Sequence, residues 1–229
     1  MLTNPFVLDV ETSVISDVAS YADEISRPPA RLKDPVKIQE WIDNAKAKQA
    51  SFAALDLDLA RIVCMCWTAD GVKLAGGIAK NENEERELIT RFWNETRSIS
   101  GRSYVGFNIL DFDLPLLIRR SQYLGVTYPE LELSRYRHKG IIDLMQILTF
   151  DGKVPYRRLE FYCRRFGITS AIEDKHTGAD VPALVMAGDY DSVKRHCAAD
   201  VQKEWNLGVR LGVLEKPVKF DDNQPEPIL

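Results

Sequence analysis

FVLDVET, residues 6–12, has the β-branched and apolar make-up of a strand, yet it carries two acids two positions apart. Side chains alternate along a strand, so Phe6, Leu8 and Val10 point one way. Val7, Asp9 and Glu11 point the other, with the two acids about 6.6 Å apart along the backbone. Like charges this close repel, and burying either is costly unless something positive compensates; a divalent cation serves both at once. A strand whose acid-bearing face meets water explains the same letters, so the stretch needs partners elsewhere in the chain to become a site.

Working outward, a polar, proline-containing segment from about Ser16 to Ala60 reads as an insertion, with loop at RPPARLKDP and a helix led by Pro35. The sheet resumes with two apolar runs, 61–68 and 72–79, joined through Asp70-Gly71 as an antiparallel hairpin. NENEERELITRFWNETRS places Leu88, Ile89, Phe92 and Trp93 on one helical face and begins with acids that suit the positive end of a helix. SYVGFNI, 103–109, is a short strand, and a helix from Asp111 to Tyr123 follows, with Pro115 in its first turn and Gly125 past its end.

After an irregular segment to about Tyr136, helices are expected at 141–149 and 155–166. A last helix runs from about Asp189 to Leu211 between Gly188 and Gly212. Strands first and helices afterwards predict one α/β domain over residues 1–212, a mixed sheet flanked by helices. The proline-rich acidic tail, 213–229, is expected to be disordered.

The 229 residues are 45% hydrophobic, enough for a sizeable core, and the net charge of −4 offers no global attraction to a polyanion. Cys64, Cys66, Cys163 and Cys197 show no CxxC pair and no zinc-ligand spacing, which favours a reducing compartment. Without a signal-peptide pattern or a long apolar run, a soluble cytoplasmic protein with no membrane partner is expected. His138 and His176, in polar loops, read as surface residues.

Two further segments carry acids. In GFNILDFDLPLL, 106–117, Asp113 falls near a helix start, where an acid is an ordinary cap or dipole partner, but Asn108 and Phe112 close before it are not explained that way. In VKRHCAADVQKEW, 193–205, His196 and Asp200 are four apart and share a helical face bordered by Val193, Cys197 and Val201. An i, i+4 pair that steadies the helix is the simpler account of that motif alone. Together the segments supply Asp9, Glu11, Asp113 and Asp200, an oxygen-only set that suits Mg²⁺ or Mn²⁺ rather than zinc. Two such ions, about 3.5 to 4 Å apart, can activate a water and steady the leaving oxygen of a phosphodiester.

Between 115 and 170 ten basic residues (Arg119, Arg120, Arg135, Arg137, Lys139, Lys153, Arg157, Arg158, Arg164, Arg165) face five acids. Tyr136, Tyr156, Phe161 and Tyr162 interleave rings that can stack on bases. A solvated helix face accounts for most of these cations.

These residues resemble the DEDD exonucleases, 3′-to-5′ enzymes with a ribonuclease-H-like fold. FVLDVET is similar to the first motif, GFNILDFDLPLL to the second and HCAADV to the third. The likeness is greatest to bacterial and phage proteins related to the proofreading domain of family B DNA polymerases, and it runs from about Phe6 to Leu211.

The resemblance implies that Asp9, Glu11, Asp113 and Asp200 hold two Mg²⁺ or Mn²⁺ ions, with Asp111 left as a helix cap. It further implies that Thr12 and Asn108 touch the terminal nucleotide, that Phe112 packs near it, and that Asp143 either supports the site or caps the following helix. The group usually has a tyrosine four residues before the last aspartate, and the histidine subgroup has its histidine five before. Here His196 stands at the tyrosine spacing, one helical turn from Asp200. A histidine can take a proton from the attacking water near neutral pH, whereas a tyrosine mainly orients it.

The expected function is therefore metal-dependent 3′–5′ exonuclease activity on nucleic acid with a free 3′ end, single-stranded DNA favoured, releasing nucleoside monophosphates. Arg157 is expected on the strand's path. A nucleic-acid-binding module weakened in catalysis would bind without release. A small-molecule phosphodiesterase would be indifferent to replacement of Arg157 and Arg158.

Overall fold

A computed structural model describes residues 4–21, 27–134 and 138–217, with backbone alone over 46–52. Its sheet has five strands in the order β3-β2-β1-β4-β5: β1 (Pro5–Val14), β2 (Ala60–Thr68), β3 (Ala75–Ile78), β4 (Ser103–Gly106) and β5 (Ile141–Asp143). β1 runs antiparallel to β2 and parallel to β4; β2–β3 is antiparallel and β4–β5 parallel. This mixed sheet, with helices on both faces, is the ribonuclease-H-like α/β architecture expected from the sequence.

The alternation along β1 sorts the two cores. Phe6, Leu8 and Val10 enter one apolar cluster with helix α2 (Glu82–Arg97) and helix α3 (Asp113–Leu124). Val7 enters the other with helices α5 (Leu159–Phe166), α6 (Val181–Ala187) and α7 (Tyr190–Arg210), so the face that carries Asp9 and Glu11 lies under α7 rather than in water. Helix α1 (Pro35–Phe52) and a 3₁₀ turn at Ala53–Leu55 precede β2, and α4 (Leu144–Thr149) follows β5 directly.

Three expectations need correction. Ile141–Asp143, expected to open a helix, pairs with β4 instead, because an apolar pair beside a short parallel strand gains ladder hydrogen bonds that a local pattern does not reveal. The strand expected at 72–79 begins only at Ala75. Asp70 accepts hydrogen bonds from the Val72 and Lys73 N–H groups at 2.8 Å each, which draws those residues into the turn. The helix expected from 155 starts at Leu159, leaving residues 153–158 as an exposed loop. At the tail, Leu214 is buried against Gly208, while residues 218–229, part of the expected disordered stretch, lie outside the described residues.

One pair of buried charges locks the α2–α3 side. Arg120 makes a two-pronged contact with Glu85 at 2.7 and 2.8 Å, and the Ile62 N–H donates to the same carboxylate at 2.8 Å. Removing one partner of such a pair strands the other charge in the core. Arg120→Ala is expected to cost about 3 to 5 kcal/mol in denaturant unfolding; a loss near that of a surface arginine, under about 0.5 kcal/mol, would contradict this role.

Candidate active site

β1 pairs with β4 only over Pro5–Val7, so the Val10 N–H is left for another acceptor. Asp113, first residue of α3, supplies it: its Oδ1 accepts from Val10 at 3.2 Å, which inserts the Asp113 carboxylate at the level of Asp9 and Glu11. On the other strand edge the register with β2 shifts between Glu11 and Thr12, a bulge of the kind that re-aims side chains beside sites. α7, capped by Asp189 through the Ser192 N–H, then brings His196 and Asp200 down on the same face.

The four acids assigned from the sequence thus line one cleft of about 1210 Å³, together with Thr12, Asn108, Phe112, Arg157 and His196. Asp9 Oδ2 is buried with no hydrogen-bond partner among the described residues. Burial raises the Asp9 and Glu11 carboxyls well above their ordinary values, and neighbouring acids add to it: chiefly Glu11 and Glu204 for Asp9, Asp200 and Asp113 for Glu11. Burial also pushes Asp113 up to about 7, against the pull of its backbone hydrogen bonds. Asp200 is raised by burial but partly offset by Lys203, whose Nζ donates to its Oδ1 at 2.6 Å, and by His196. A cluster of four carboxylates, one with a buried oxygen orphaned among the described residues, fits divalent cations of the magnesium type.

His196 is 2% exposed, and its Nε2 lies 3.5 Å from Glu11 Oε1 and 4.0 Å from Asp200 Oδ2. Its Nδ1 sits 2.7 Å from Asp174 Oδ2. Burial alone would raise Asp174; the contacts from His196 and the His176 N–H hold it below the usual carboxylate range. Sequence reasoning missed Asp174, which lies in an aperiodic polar stretch. It also missed Glu204, one turn beyond Asp200, which is buried and accepts from the Phe107 N–H at 3.0 Å. A Glu in the buried register of the HCAADVQKE helix was the available signal.

Asn108 adopts φ +65°, a left-handed conformation that asparagine tolerates better than most residues. Its carbonyl accepts from both the Asp111 and Phe112 N–H groups, so the chain turns there and the helix starts two residues later than expected. Asp111, expected as the cap, is instead exposed, and Phe112 takes the cap position without a side-chain hydrogen bond. The Thr12 hydroxyl donates to the Ala54 carbonyl, tying β1 to the end of the inserted segment beside the cleft.

Asp143 holds this turn from behind while also capping α4. Its Oδ1 accepts from Asn108 at 3.1 Å and Met145 at 2.9 Å, and its Oδ2 from Leu110 at 3.2 Å. An alanine here leaves those N–H groups without acceptors. Asp143→Ala is expected to cost roughly 2 kcal/mol and to speed amide exchange at Asn108 and Leu110; unchanged exchange there would refute the bracing.

The basic region divides. Lys153, Arg157 and Arg158 line the cleft, and the Arg157 guanidinium lies 6.0 Å over the Phe161 ring. Arg119 is engaged by Asp58 and Arg120 by Glu85, so these two serve the fold; Arg135, Tyr136 and Arg137 lie outside the described residues. His138 and His176, expected on the surface, are half-buried, and His138 Nδ1 meets the Ile141 carbonyl at 2.8 Å. All four cysteines are free and buried. Cys64, Cys66 and Cys197 bring their sulfurs within 4.8 Å of one another, because adjacent strand and helix faces meet there, and Cys197 donates to the Asp9 carbonyl at 3.3 Å.

Among the described residues no helix is long and apolar enough to cross a membrane. Among solved structures, the family B DNA polymerase from the hyperthermophilic archaeon Pyrobaculum calidifontis is similar in fold, with a TM-score of 0.59 at 17% identity over 90% of this chain and 24% of that one. No curated protein matches the chain. Residues 52–226 match the family described as a predicted 3′–5′ exonuclease related to the exonuclease domain of PolB; the matched span begins after Asp9 and Glu11. With three quarters of its length so matched and the fold in agreement, the chain belongs to that family of predicted 3′–5′ exonucleases related to the exonuclease domain of PolB.

Proposed function

We propose that this chain hydrolyses the terminal phosphodiester of nucleic acid at a free 3′ end, single-stranded DNA above all, releasing nucleoside monophosphates. The observation that carries this reading is the convergence of Asp9, Glu11, Asp113 and Asp200, from three distant segments, on one cleft in which an Asp9 oxygen lacks a partner among the described residues. These four carboxylates would hold two Mg²⁺ or Mn²⁺ ions, which when bound supply the charge that offsets the phosphate and favours a deprotonated water.

The chain's own groups do the rest. His196, buried with Nε2 toward Glu11 and Asp200, takes the proton of the attacking water. Asn108 and Thr12 contact the terminal nucleotide while Phe112, at the cleft wall, offers a ring to its base. Lys153, Arg157 and Arg158 meet the phosphates upstream, with Tyr156, 70% exposed, beside them.

The test is release of nucleotide from labelled single-stranded DNA with Mn²⁺, with and without EDTA. Metal-dependent release of monophosphates from the 3′ end supports the reading. The ammonium of Lys203 on Asp200 favours one rival, a domain that binds strands but no longer cuts them. Retention of DNA with no release at any Mn²⁺ level would establish that rival.

A further inference from the structure

We propose that Asp174 is a positioning residue of this site, one that fixes which nitrogen of His196 carries the proton and so leaves Nε2 free to accept one. The proposal rests on the exonuclease reading above for its consequence and on geometry for its content. Asp174 stands in an irregular segment laid along α7. There Gln202 Oε1 receives the Ser170 hydroxyl at 2.8 Å and the Ala171 N–H at 3.1 Å, and Asn206 Nδ2 donates to the Thr169 carbonyl at 3.3 Å.

Both carboxylate oxygens of Asp174 are committed. Oδ1 accepts from the His176 N–H at 3.0 Å, a local turn that sets the side chain's orientation, and Oδ2 lies 2.7 Å from His196 Nδ1. An ionised carboxylate can only accept, so Nδ1 must carry the hydrogen. In the neutral ring the lone pair then resides on Nε2, the nitrogen that faces Glu11 and Asp200. The side chains of both partners are at most 5% exposed, so water does not compete for this contact.

This arrangement makes asparagine an informative replacement. In Asp174→Asn the amide oxygen keeps the turn to the His176 N–H, which points the amide NH₂ at His196 Nδ1. That nitrogen must now accept, and the ring proton moves to Nε2, facing the carboxylates with the wrong tautomer for proton abstraction. The shape of the site is preserved while its chemistry is inverted.

The experiment uses the full chain, labelled with ¹⁵N in its histidines and saturated with Mg²⁺, at alkaline pH. Long-range ¹⁵N–¹H imidazole spectra should show Nδ1–H for the wild type and Nε2–H for Asp174→Asn. In parallel, nucleotide release with Mn²⁺ should show kcat lowered about 100-fold by the substitution, with KM within about threefold. An unchanged tautomer, or a wild-type kcat in the variant, overturns the proposal. If the wild type itself releases no nucleotide, the exonuclease reading fails, and the spectra still decide the tautomer by themselves.

Discussion

Asp9→Ala is expected to lower nucleotide release on the order of 1000-fold or more at saturating Mn²⁺, because it removes a carboxylate whose charge no other group in the cleft replaces. Asp9 sits at the centre of the acid set: Glu11, Glu204, Asp113 and Asp200 all act on it electrostatically, and its Oδ2 has no partner among the described residues. Alanine at this position relieves repulsion, so the folded protein should be at least as stable as the wild type without metal. The pairing of lost rate with kept or improved stability separates a catalytic acid from a structural one. If Asp9→Ala cut DNA within about tenfold of the wild type, the assignment of the site would be wrong.

The second large effect concerns metal and pH. Asp113 moves from an ordinary value of 3.8 up to about 7 on folding, and burial raises Asp9, Glu11 and Glu204 well above theirs. A carboxyl raised by folding contributes its full stability below its unfolded value and loses it as pH climbs through the folded value. For Asp113 that window runs from about pH 4 to about pH 7 and is worth roughly 4 kcal/mol.

The protein in EDTA should therefore melt lower at pH 8 than at pH 5; pH 5 already lies inside that window, so about 3 kcal/mol of it is lost in between, which is roughly 5 to 10 °C from Asp113 alone. Mg²⁺ or Mn²⁺ should recover most of that loss at pH 8 and little at pH 5, since the ions bind the ionised carboxylates. Melting that rises from pH 5 to pH 8 in EDTA, with no response to Mn²⁺, would contradict the buried-acid account.

Much of this architecture is legible in local pattern, and the exceptions share a physical cause. The alternation of FVLDVET assigned two faces to β1, and the cores divide along those faces. His196 and Asp200 share a face because one helical turn separates them. Contacts whose partners are distant in the chain and lack periodicity stayed hidden. β5 is three residues long and exists through pairing with β4, so IID followed by apolar residues reads as helix. Glu85 looks like an acid favouring a helix start, and only the packing of α3 reveals its buried partner Arg120.

Asp174 depends on a segment with no repeat, held to α7 by Gln202 and Asn206 across about 30 intervening residues. The cluster of Cys64, Cys66 and Cys197 likewise arises where β2 and α7 meet, a spacing of over 130 residues that no ligand pattern anticipates.

Anomalous diffraction from crystals grown with Mn²⁺ would locate the ions in the cleft. Manganese peaks bounded by the carboxylates of Asp9, Glu11, Asp113 and Asp200 are the predicted result. A cleft with no bound manganese at saturating concentration, its acids turned away from one another, would contradict it.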